Sequence, residues 1–185
     1  MTAFAPFTLS TERLTLRWLG VRDIPALFAM YSNSEVVRYW SSPPWTELVQ
    51  AETSLARTLD GYRSGQALRM GIVLNATAEL VGECNLRDFY EQNRRAEIGY
   101  ALARPHWGKG YLTEALTAFL NHAFNDMLLN RIEADIHPDN LASAKSLDRL
   151  GFRQEGLLRE RWIVGDEVSD TAFYGLLAAD WKKRG

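Results

Sequence analysis

The sequence predicts an α/β (α+β) protein with one mixed, mostly antiparallel β-sheet of about seven strands covered by helices. Short stretches of alternating apolar and polar residues recur along the chain, which is typical of half-buried strands. Three of these stretches follow one another in the middle of the chain with short polar connections, as in an antiparallel meander. The remaining stretches are separated by segments with apolar residues at helical spacing.

The N-terminal part predicts one strand followed by two helices. The strand is Thr11–Trp18, where Leu and Trp alternate with Arg and Thr. Asp23 and Pro25 are typical of a helix start and predict the first helix. Thr46 is expected to cap a second helix, which ends before Gly65. The two helices therefore form a long crossover between the first and second strands.

The rest of the chain adds two helices and six strands. The helix that follows residue 111 has the clearest amphipathic pattern, because its apolar residues repeat at positions i, i+3, i+4 and i+7. A shorter helix is expected between Asn140, a typical N-cap, and Gly151, a typical stop. The predicted strands are Ala67–Leu74, Glu79–Phe89, Arg95–Ala103, Arg131–Ile136, Phe152–Val164 and Glu167–Leu177.

Length and charge limit the classes of function. A chain of 185 residues fits a single domain, expected over residues 1–185. The formal net charge is −2, from 21 Lys and Arg against 23 Asp and Glu, so we expect no nucleic-acid partner. No apolar run approaches the roughly 18 residues that a membrane span needs, and no signal peptide is expected at the N-terminus. The protein is therefore expected to be cytoplasmic and without a membrane partner.

Cysteine and histidine give no sign of a metal or disulfide. Cys84 is the one cysteine, which excludes an internal disulfide framework and a zinc site built on cysteines. His122 and His137 have no neighbouring ligands at a metal-binding spacing, so no metal is expected. His106 lies beside a glycine-rich turn and is interpreted as a residue of a strand end.

That turn, within the stretch PHWGKGYLTEA at residues 105–115, raises the main functional question. Gly108, Lys109 and Gly110 stand directly before the long amphipathic helix. The first amides of a helix have no partners within the helix and carry partial positive charge, and glycine lets an anion approach them. By itself the stretch fits an ordinary helix cap and a phosphate site equally well. It does not match the Walker or dinucleotide-binding loops, because Tyr111 and Thr113 occupy positions that those loops need.

A second motif changes this interpretation. Asn-x-x-Ser at Asn140 and Ser143 precedes a helix that ends in Leu-Gly-Phe. Together with the glycine turn, this order resembles the GNAT superfamily of N-acetyltransferases, and in particular its RimJ/RimL-type branch, the ribosomal-protein N-terminal acetyltransferases. The matching segments span essentially the whole chain and are TERL at 11–14, AEIGY at 96–100, WGKGY at 107–111, TEA at 113–115, EGLLR at 155–159 and Asp170.

The resemblance implies a single GNAT-like domain, with helices on both faces of the sheet, that takes acetyl-CoA as co-substrate. Backbone groups of the strand end would contact the pantetheine arm, and amides of the turn would hold the pyrophosphate. Asn140 would contact the pantetheine or acetyl region, and Ser143 or Ser146 would lie near the sulfur. The implied strand-end and turn residues are Ala101, Leu102, Ala103, Trp107, Gly108, Lys109, Gly110, Tyr111, Leu112 and Thr113, and the candidates for the 3′-phosphate are Lys109, Lys145 and Arg149.

The sequence is less specific about catalysis. Direct transfer to an amine needs a polarised thioester carbonyl, a neutral amine and a proton for the thiolate. Glu97 is the preferred general base, with Glu83 and Asp88 as alternatives, and a water relay stays open. In part of the branch a glutamate on the strand after Gly-Phe has this role, but Trp162 stands at that position here. Ser143 is the preferred proton donor to the thiolate.

The acceptor is expected to be a primary amine, by preference a protein or peptide N-terminus. A small amine such as a polyamine, an amino acid or an aminoglycoside is the alternative, and a non-catalytic coenzyme A-binding module is a third. The oligomeric state stays open, with a homodimer as one option. The aromatic residues expected to line the acceptor entrance are Trp40, Trp45, Phe89 and Tyr90, and the carboxylates expected to attract the amine are Glu83, Asp88, Glu91 and Glu97.

Overall fold

The structure, a computed structural model, describes residues 3–183. It contains eight strands and six α-helices within these residues, and 3-10 turns connect some of them. The strands are β1 (Thr8–Ser10), β2 (Leu14–Trp18), β3 (Leu68–Leu74), β4 (Leu80–Tyr90), β5 (Arg95–Leu102), β6 (Arg131–Ile136), β7 (Arg153–Val164) and β8 (Glu167–Leu177). The helices are α1 (Ile24–Tyr31), α2 (Ser34–Val37), α3 (Leu48–Ser64), α4 (Tyr111–Asn125), α5 (Leu141–Leu150) and α6 (Ala178–Lys182).

All eight strands form one open sheet in the order β1-β2-β3-β4-β5-β6-β8-β7. Neighbouring strands are antiparallel except β5 and β6, which are parallel. The predicted mixed, mostly antiparallel fold is therefore confirmed, and β3, β4 and β5 form the expected meander. Among residues 3–183, no helix is long and apolar enough to cross a membrane.

Helices cover both faces of the sheet, and alternation along the strands decides which residues they meet. Met70 and Cys84 are fully buried in the main core, which α4 and α5 complete. Arg69, one position from Met70, points to the opposite face and hydrogen-bonds Ser54 of α3. On that face a second apolar cluster joins α1, α2 and α3 to the sheet.

The main core is centred on α4, whose apolar positions predicted it. Leu116, Phe119 and Leu120 of this helix are completely buried against the sheet. Each such burial contributes about 1.5–3 kcal/mol relative to exposure. The same packing fixes where the first turn of α4 lies relative to β2 and β5, so the core sets the position of the glycine turn.

The structure adds to the predicted elements and shifts some boundaries. The short strand β1 pairs with β2 and brings the count to eight, one more than expected; three residues are too few for a periodic pattern. Helix α3 begins at Leu48 and not at Thr46, because the Gln50 side chain accepts hydrogen bonds from the Thr46 and Glu47 amides. Asp23 precedes α1 as expected, but its carboxylate pairs with Arg17 in place of capping the helix.

Candidate active site

The sheet opens between β5 and β6. The two strands pair over three positions, from Arg95 with Arg131 to Glu97 with Glu133. β5 continues to Leu102 and β6 to Ile136, so beyond Glu97 neither strand pairs with the other. A cleft of about 710 Å³ occupies this opening. The two strands therefore form a V whose inner edges carry unpaired backbone groups.

Four other segments complete the walls of this cleft. The start of α5 contributes Asn140 and Ser143, and the chain from α2 through residue 44 forms the opposite side. Trp162 of β7 and Asp170 of β8 close a third side. β7 leaves its register with β8 between Leu158 and Trp162, and the Glu160 amide donates to Asp170 Oδ1 at 2.9 Å. Trp162 thus stands directly after an irregular segment that Asp170 holds in place.

The glycine turn lies at the N-terminus of α4. Gly108 has φ +74° and Gly110 has φ +80°, both in the left-handed region that L-residues rarely adopt. Gly110 is the N-cap, and no side chain among residues 3–183 caps this helix end. The amides of Tyr111, Leu112 and Thr113 therefore lack both intrahelical partners and a cap, and the helix dipole adds about half a positive charge. This is a backbone surface suited to an anion.

Leu112, which fits the family turn least well, packs its side chain against the main core. Its presence in the turn therefore takes no space from the exposed amides. Lys109 is exposed beside the same turn. Lys145 and Arg149 are exposed on α5 and do not line the cleft.

Arg13 holds the turn from outside, a role that the sequence analysis missed. Its Nη1 donates to the Lys109 carbonyl at 3.1 Å, its Nε donates to Glu114 at 2.6 Å, and its guanidinium lies 4.8 Å from the Tyr111 ring centre. Partial burial alone would raise the pKa of Glu114, but hydrogen bonds from Thr11 and Arg13 hold it below its ordinary value. The signal was present in the sequence, because TERL supplies Thr11 and Arg13 and TEA supplies Glu114.

Backbone direction distinguishes the three predicted residues at the end of β5. The Ala103 amide donates to Val81 of β4 at 2.8 Å. Because successive residues of a strand turn their backbone groups to opposite sides, Ala101 and Ala103 face β4, and Leu102 and Tyr100 face the opening. The Leu102 carbonyl accepts a hydrogen bond of 2.6 Å from the Trp107 indole. The backbone groups of Leu102 and Tyr100 therefore point to the side on which β5 has no partner strand, and Tyr100 also lines the cleft.

A pair of hydroxyl groups, from Tyr100 and Ser143, lies in the cleft. Asn140 caps α5, and its Oδ1 accepts from the Ser143 amide at 3.1 Å. Ser143 Oγ is 2.7 Å from the Tyr100 hydroxyl. Burial raises the pKa of Tyr100 to about 12, although the bond to Ser143 works against this, so the phenol stays protonated at neutral pH. Ser146, by contrast, donates to the Ala142 carbonyl of its own helix at 2.9 Å and does not line the cleft.

Glu97 lies on the other face of the sheet, within a cluster of charges. It hydrogen-bonds Arg87 and faces Asp135 of β6. Burial raises the pKa of Glu97 to about 7, and the nearby Asp135 and Asp88 carboxylates add to this against the opposing charge of Arg87. Glu97 does not line the cleft, whereas Asp135 does. The predicted base thus reaches the cleft only through a second carboxylate.

The alternative bases lie elsewhere. Glu83 is 1% exposed and is held by Arg69 and Tyr31 beneath α1 and α3. Asp88 is exposed at a position with φ +52°.

The four aromatic residues predicted to line the acceptor entrance lie in three different places. Trp40 lines the cleft, whereas Trp45 stacks on Tyr31 with ring centres 4.6 Å apart. Phe89 and Tyr90 line a separate groove beside Phe4, so they do not border the predicted entrance. The structure therefore brings one of these four aromatic residues to the cleft.

The histidines have local partners. His106 Nε2 lies 3.2 Å from Glu79, and His122 Nδ1 lies 2.7 Å from Asp126. His137 lines the cleft, and its Nδ1 accepts from the Asp139 amide at 3.2 Å. Within residues 3–183, no three His, Cys, Asp or Glu side chains come close enough together to hold a metal ion.

Comparison with known proteins identifies the family. Residues 13–153 match the acetyltransferase (GNAT) domain model. The chain belongs to the GNAT acetyltransferase family. It is 38% identical to the uncharacterized N-acetyltransferase p20 of Bacillus licheniformis, over 94% of this chain and 98% of that one. It is 27% identical to the [ribosomal protein uS5]-alanine N-acetyltransferase of Escherichia coli, over 94% of this chain and 92% of that one.

The solved structures agree with this assignment. Mycobacterium smegmatis RimJ in complex with CoA-disulfide superposes with a TM-score of 0.85 at 25% identity, covering 97% of this chain and 91% of that one. The protein is thus a RimJ-like GNAT N-acetyltransferase that takes acetyl-CoA as its acyl donor. The site fits such a donor, because an uncapped helix start with two left-handed glycines adjoins the open edge of β5.

Proposed function

We propose that this N-acetyltransferase acetylates the α-amino group of a protein N-terminus. One observation carries the proposal: a single cleft borders the open edge of β5, the Tyr100–Ser143 hydroxyl pair and the Asp135 carboxylate. These are the groups that transfer to an amine needs, since one orients the thioester, one supplies a proton and one removes a proton.

An α-amine suits this site better than a lysine side chain. Its ordinary pKa of about 7.7–8.0 leaves roughly a tenth neutral near pH 7, whereas a lysine amine near 10.4 is almost wholly charged. A carboxyl group that titrates near neutrality can complete the deprotonation of an α-amine. The E. coli relative that acts on an alanine N-terminus supports the same acceptor class. A ribosomal-protein acceptor would place the enzyme in the cytoplasm, where ribosomes are.

We propose the following contacts between the acetyl-CoA donor and the protein. The amides from Trp107 to Thr113, including Gly108, Lys109, Gly110, Tyr111 and Leu112, would hold the pyrophosphate. The pantetheine arm would lie along β5, with Leu102 as its main backbone partner between Ala101 and Ala103. Asn140 and Ser143 would lie near the thioester, and Ser146 one turn further along α5. Lys109, Lys145 and Arg149 are the proposed partners of the 3′-phosphate.

The bound donor supplies an activated acetyl group, and side chains of this protein move the protons. The open-side amides of β5 polarise the thioester carbonyl. Glu97, together with the carboxylate it faces, lowers the cost of deprotonating the amine. Ser143 gives its proton to the leaving thiolate and regains one from the Tyr100 hydroxyl, which stays protonated because the pKa of Tyr100 is about 12.

A panel of acceptors tests this function. Thiol release from acetyl-CoA is measured with a peptide that has a free N-terminal alanine, the same peptide with a blocked terminus and one lysine, and spermidine. The proposal expects kcat/KM for the free N-terminus to exceed the others by at least about tenfold, in line with the neutral fractions of the amines. Preference for spermidine would favour the small-amine alternative. Tight coenzyme A binding without any turnover would favour a binding module.

A further inference from the structure

The cleft contains a carboxylate that none of the sequence motifs identified. Asp135 lies on β6 two residues beyond the last paired position, so it is the first side chain on its face of the V after β5 and β6 separate. Its side chain is 7% exposed and lines the cleft. Glu97, on the facing strand, hydrogen-bonds it. Asp135 is therefore the member of this carboxyl pair that can touch a molecule in the cleft.

Two donors from β7 fix the orientation of this carboxylate. The Trp162 indole donates to Asp135 Oδ2 at 3.2 Å, and Arg161 Nε lies 3.4 Å from the same oxygen. Both donors meet Oδ2 and neither meets Oδ1. Oδ2 is thus held by β7, and the Asp135 carboxyl group also hydrogen-bonds Glu97 on the facing strand.

The two faces of the sheet separate the two proton-transfer tasks. Tyr100 and Ser143 lie on the face of α4 and α5, where the glycine turn also lies. Asp135 and Glu97 lie on the opposite face, with α1 and α2. A thioester held in the V would therefore have the hydroxyl pair on its sulfur side and Asp135 on the side from which an acceptor enters through the segment 37–44.

Resting on the proposed function, we propose that Asp135 is the carboxylate that takes the proton from the acceptor amine. Trp162 and Glu97 are positioning residues that act through Asp135. Trp162 orients it, and Glu97 shares a proton with it, so that the pair as a whole accepts the proton.

The proton count balances for an ammonium acceptor. One of its three protons passes to Asp135, and the neutral nitrogen then forms a bond to the thioester carbon. One proton stays on the amide nitrogen. The third leaves that nitrogen as the carbon–sulfur bond breaks; the thiolate takes a proton from Ser143, and the proton from nitrogen restores the Tyr100–Ser143 pair by way of water in the cleft. One proton in total is released to solvent when Asp135 ionises again.

The charges that surround the pair set its pH dependence. Arg87 and Asp88 face it from β4, Arg161 faces it from β7, and His137 lies on the same segment as Asp135. Burial and the nearby Asp135 charge raise the pKa of Glu97 to about 7, and carboxyl groups this close ionise in a linked way. The fall of kcat/KM at low pH, its acidic limb, should therefore reflect the ionisation of this linked pair.

Three variants separate the roles, assayed on one acceptor so that the ionisation of the amine is common to all. Asp135→Asn should lower kcat about 10²–10³-fold, the range of general acid–base catalysis, and abolish the acidic limb. Glu97→Gln should lower kcat less, by about tenfold, and move the limb to lower pH because Asp135 loses a like-charged neighbour. Trp162→Phe should move the limb to higher pH because Asp135 loses a donor.

Glu133→Gln is the matched control, since it removes a carboxylate two residues earlier on β6 that Arg95 and Arg131 hold outside the cleft. This variant should keep the wild-type kcat and the acidic limb of the wild-type pH profile. Coenzyme A affinity and thermal unfolding should stay near wild type in the Asp135 and Glu97 variants. A larger loss in Glu97→Gln than in Asp135→Asn, or limbs that move in the same direction in Glu97→Gln and Trp162→Phe, would overturn the proposal.

A measurement without turnover keeps this inference separate from the proposed function. Side-chain carboxyl carbon NMR of the wild-type protein should show a carboxyl group that titrates near pH 7. Its midpoint should fall in Asp135→Asn, where Glu97 has lost its partner. A midpoint that stays unchanged in this variant would show that the two carboxyl groups are not coupled, and would reject the pair whatever the acceptor panel reveals.

Discussion

Two clusters on the same face of the sheet contain the same residue types and differ in what they can do. Glu83 is held by Arg69 and Tyr31, and the cluster is sealed beneath α1 and α3. Glu97 is held by Arg87 but also faces Asp135, and this cluster adjoins the cleft. In the first, a carboxylate is fully matched by donors. In the second, two carboxyl groups face each other, and burial together with the neighbouring negative charge favours a proton on Glu97.

The comparison teaches that residue type and strand position do not by themselves distinguish a structural carboxylate from a reactive one. Both glutamates lie on central strands, and both have an arginine on the neighbouring strand. Two observations distinguish them. The second neighbour of Glu83 is the Tyr31 hydroxyl, whereas that of Glu97 is the Asp135 carboxyl group, and only the Glu97 cluster adjoins the cleft. Five substitutions test this distinction and the donor site beside it, in order of decreasing expected effect: Glu83→Gln, Tyr31→Phe, Tyr100→Phe, Gly110→Ala and Glu97→Gln.

The largest effect is expected from Glu83→Gln. Removing one partner of a buried ion pair leaves Arg69 without its counter-charge, which costs about 3–5 kcal/mol of unfolding free energy. Urea denaturation measures this, and the pH profile of the remaining activity should keep its acidic limb. Replacing both partners, Arg69→Met with Glu83→Leu, should recover most of the loss. A stable Glu83→Gln protein with an altered pH profile would contradict the structural role.

Tyr31 and Tyr100, one in each hydrogen-bonded group, give the next test. Tyr31→Phe removes a donor to the Glu83 carboxylate and should cost about 1.5–3 kcal/mol of stability without a change in the rate per folded molecule. Tyr100→Phe removes a neutral bond to Ser143 and should cost about 0.5–1.5 kcal/mol while it lowers kcat severalfold. Unfolding curves and kcat, measured on both variants, should therefore rank them in opposite orders.

Gly110→Ala leaves both clusters intact and changes the donor site alone. An added Cβ forces an L-residue into φ +80° and approaches Arg13 Nη2 at 3.4 Å. An alanine here relaxes out of the left-handed conformation in the free protein, and restoring it on binding costs about 1–2 kcal/mol, so coenzyme A affinity should fall about tenfold. Calorimetric titration measures this. Gly156→Ala, at a glycine with no atom within 4 Å of the added Cβ, should bind coenzyme A like the wild type.

The smallest effect is a pH-dependent change in stability in Glu97→Gln. The pKa of Glu97 is raised in the folded protein, so this residue binds more protons folded than unfolded and disfavours folding above about pH 7. The variant should therefore gain stability relative to wild type at pH 8 compared with pH 5, on the order of 1 kcal/mol after screening by solvent. Equal differences at the two pH values would mean that Glu97 has no raised pKa.

Local sequence patterns predicted the parts of the molecule that local forces determine. The glycine turn, the amphipathic α4 and the Asn140 cap each depend on residues within one or two helical turns, and each lies where the sequence indicates. The order of alternating segments also predicted the mixed sheet. The family resemblance, and not a local pattern, predicted acetyl-CoA as the acyl donor.

Contacts between residues that are far apart in the sequence determine the features that these patterns did not predict. Nothing in the alternation around Glu83 shows that Arg69 and Tyr31 reach it, because those contacts join β4 to β3 and α1. Asp135 stands in a strand pattern that gives no sign of Trp162, which comes 27 residues later. Even the V between β5 and β6 depends on where pairing stops, and nothing in the residue pattern directly after Glu97 and Glu133 marks that point.

The brief pairing of β5 with β6 has a consequence for mechanics. Three register pairs are all that joins the five strands β1–β5 to the three strands β6–β8 within the sheet. A donor that lies along the open edge of β5 would act as a removable strand that bridges the two parts. Occupancy would then raise the unfolding temperature by mass action and slow amide exchange beyond Glu97. Bound acetyl-CoA would in this way stabilise the fold of the enzyme as well as supply the acetyl group.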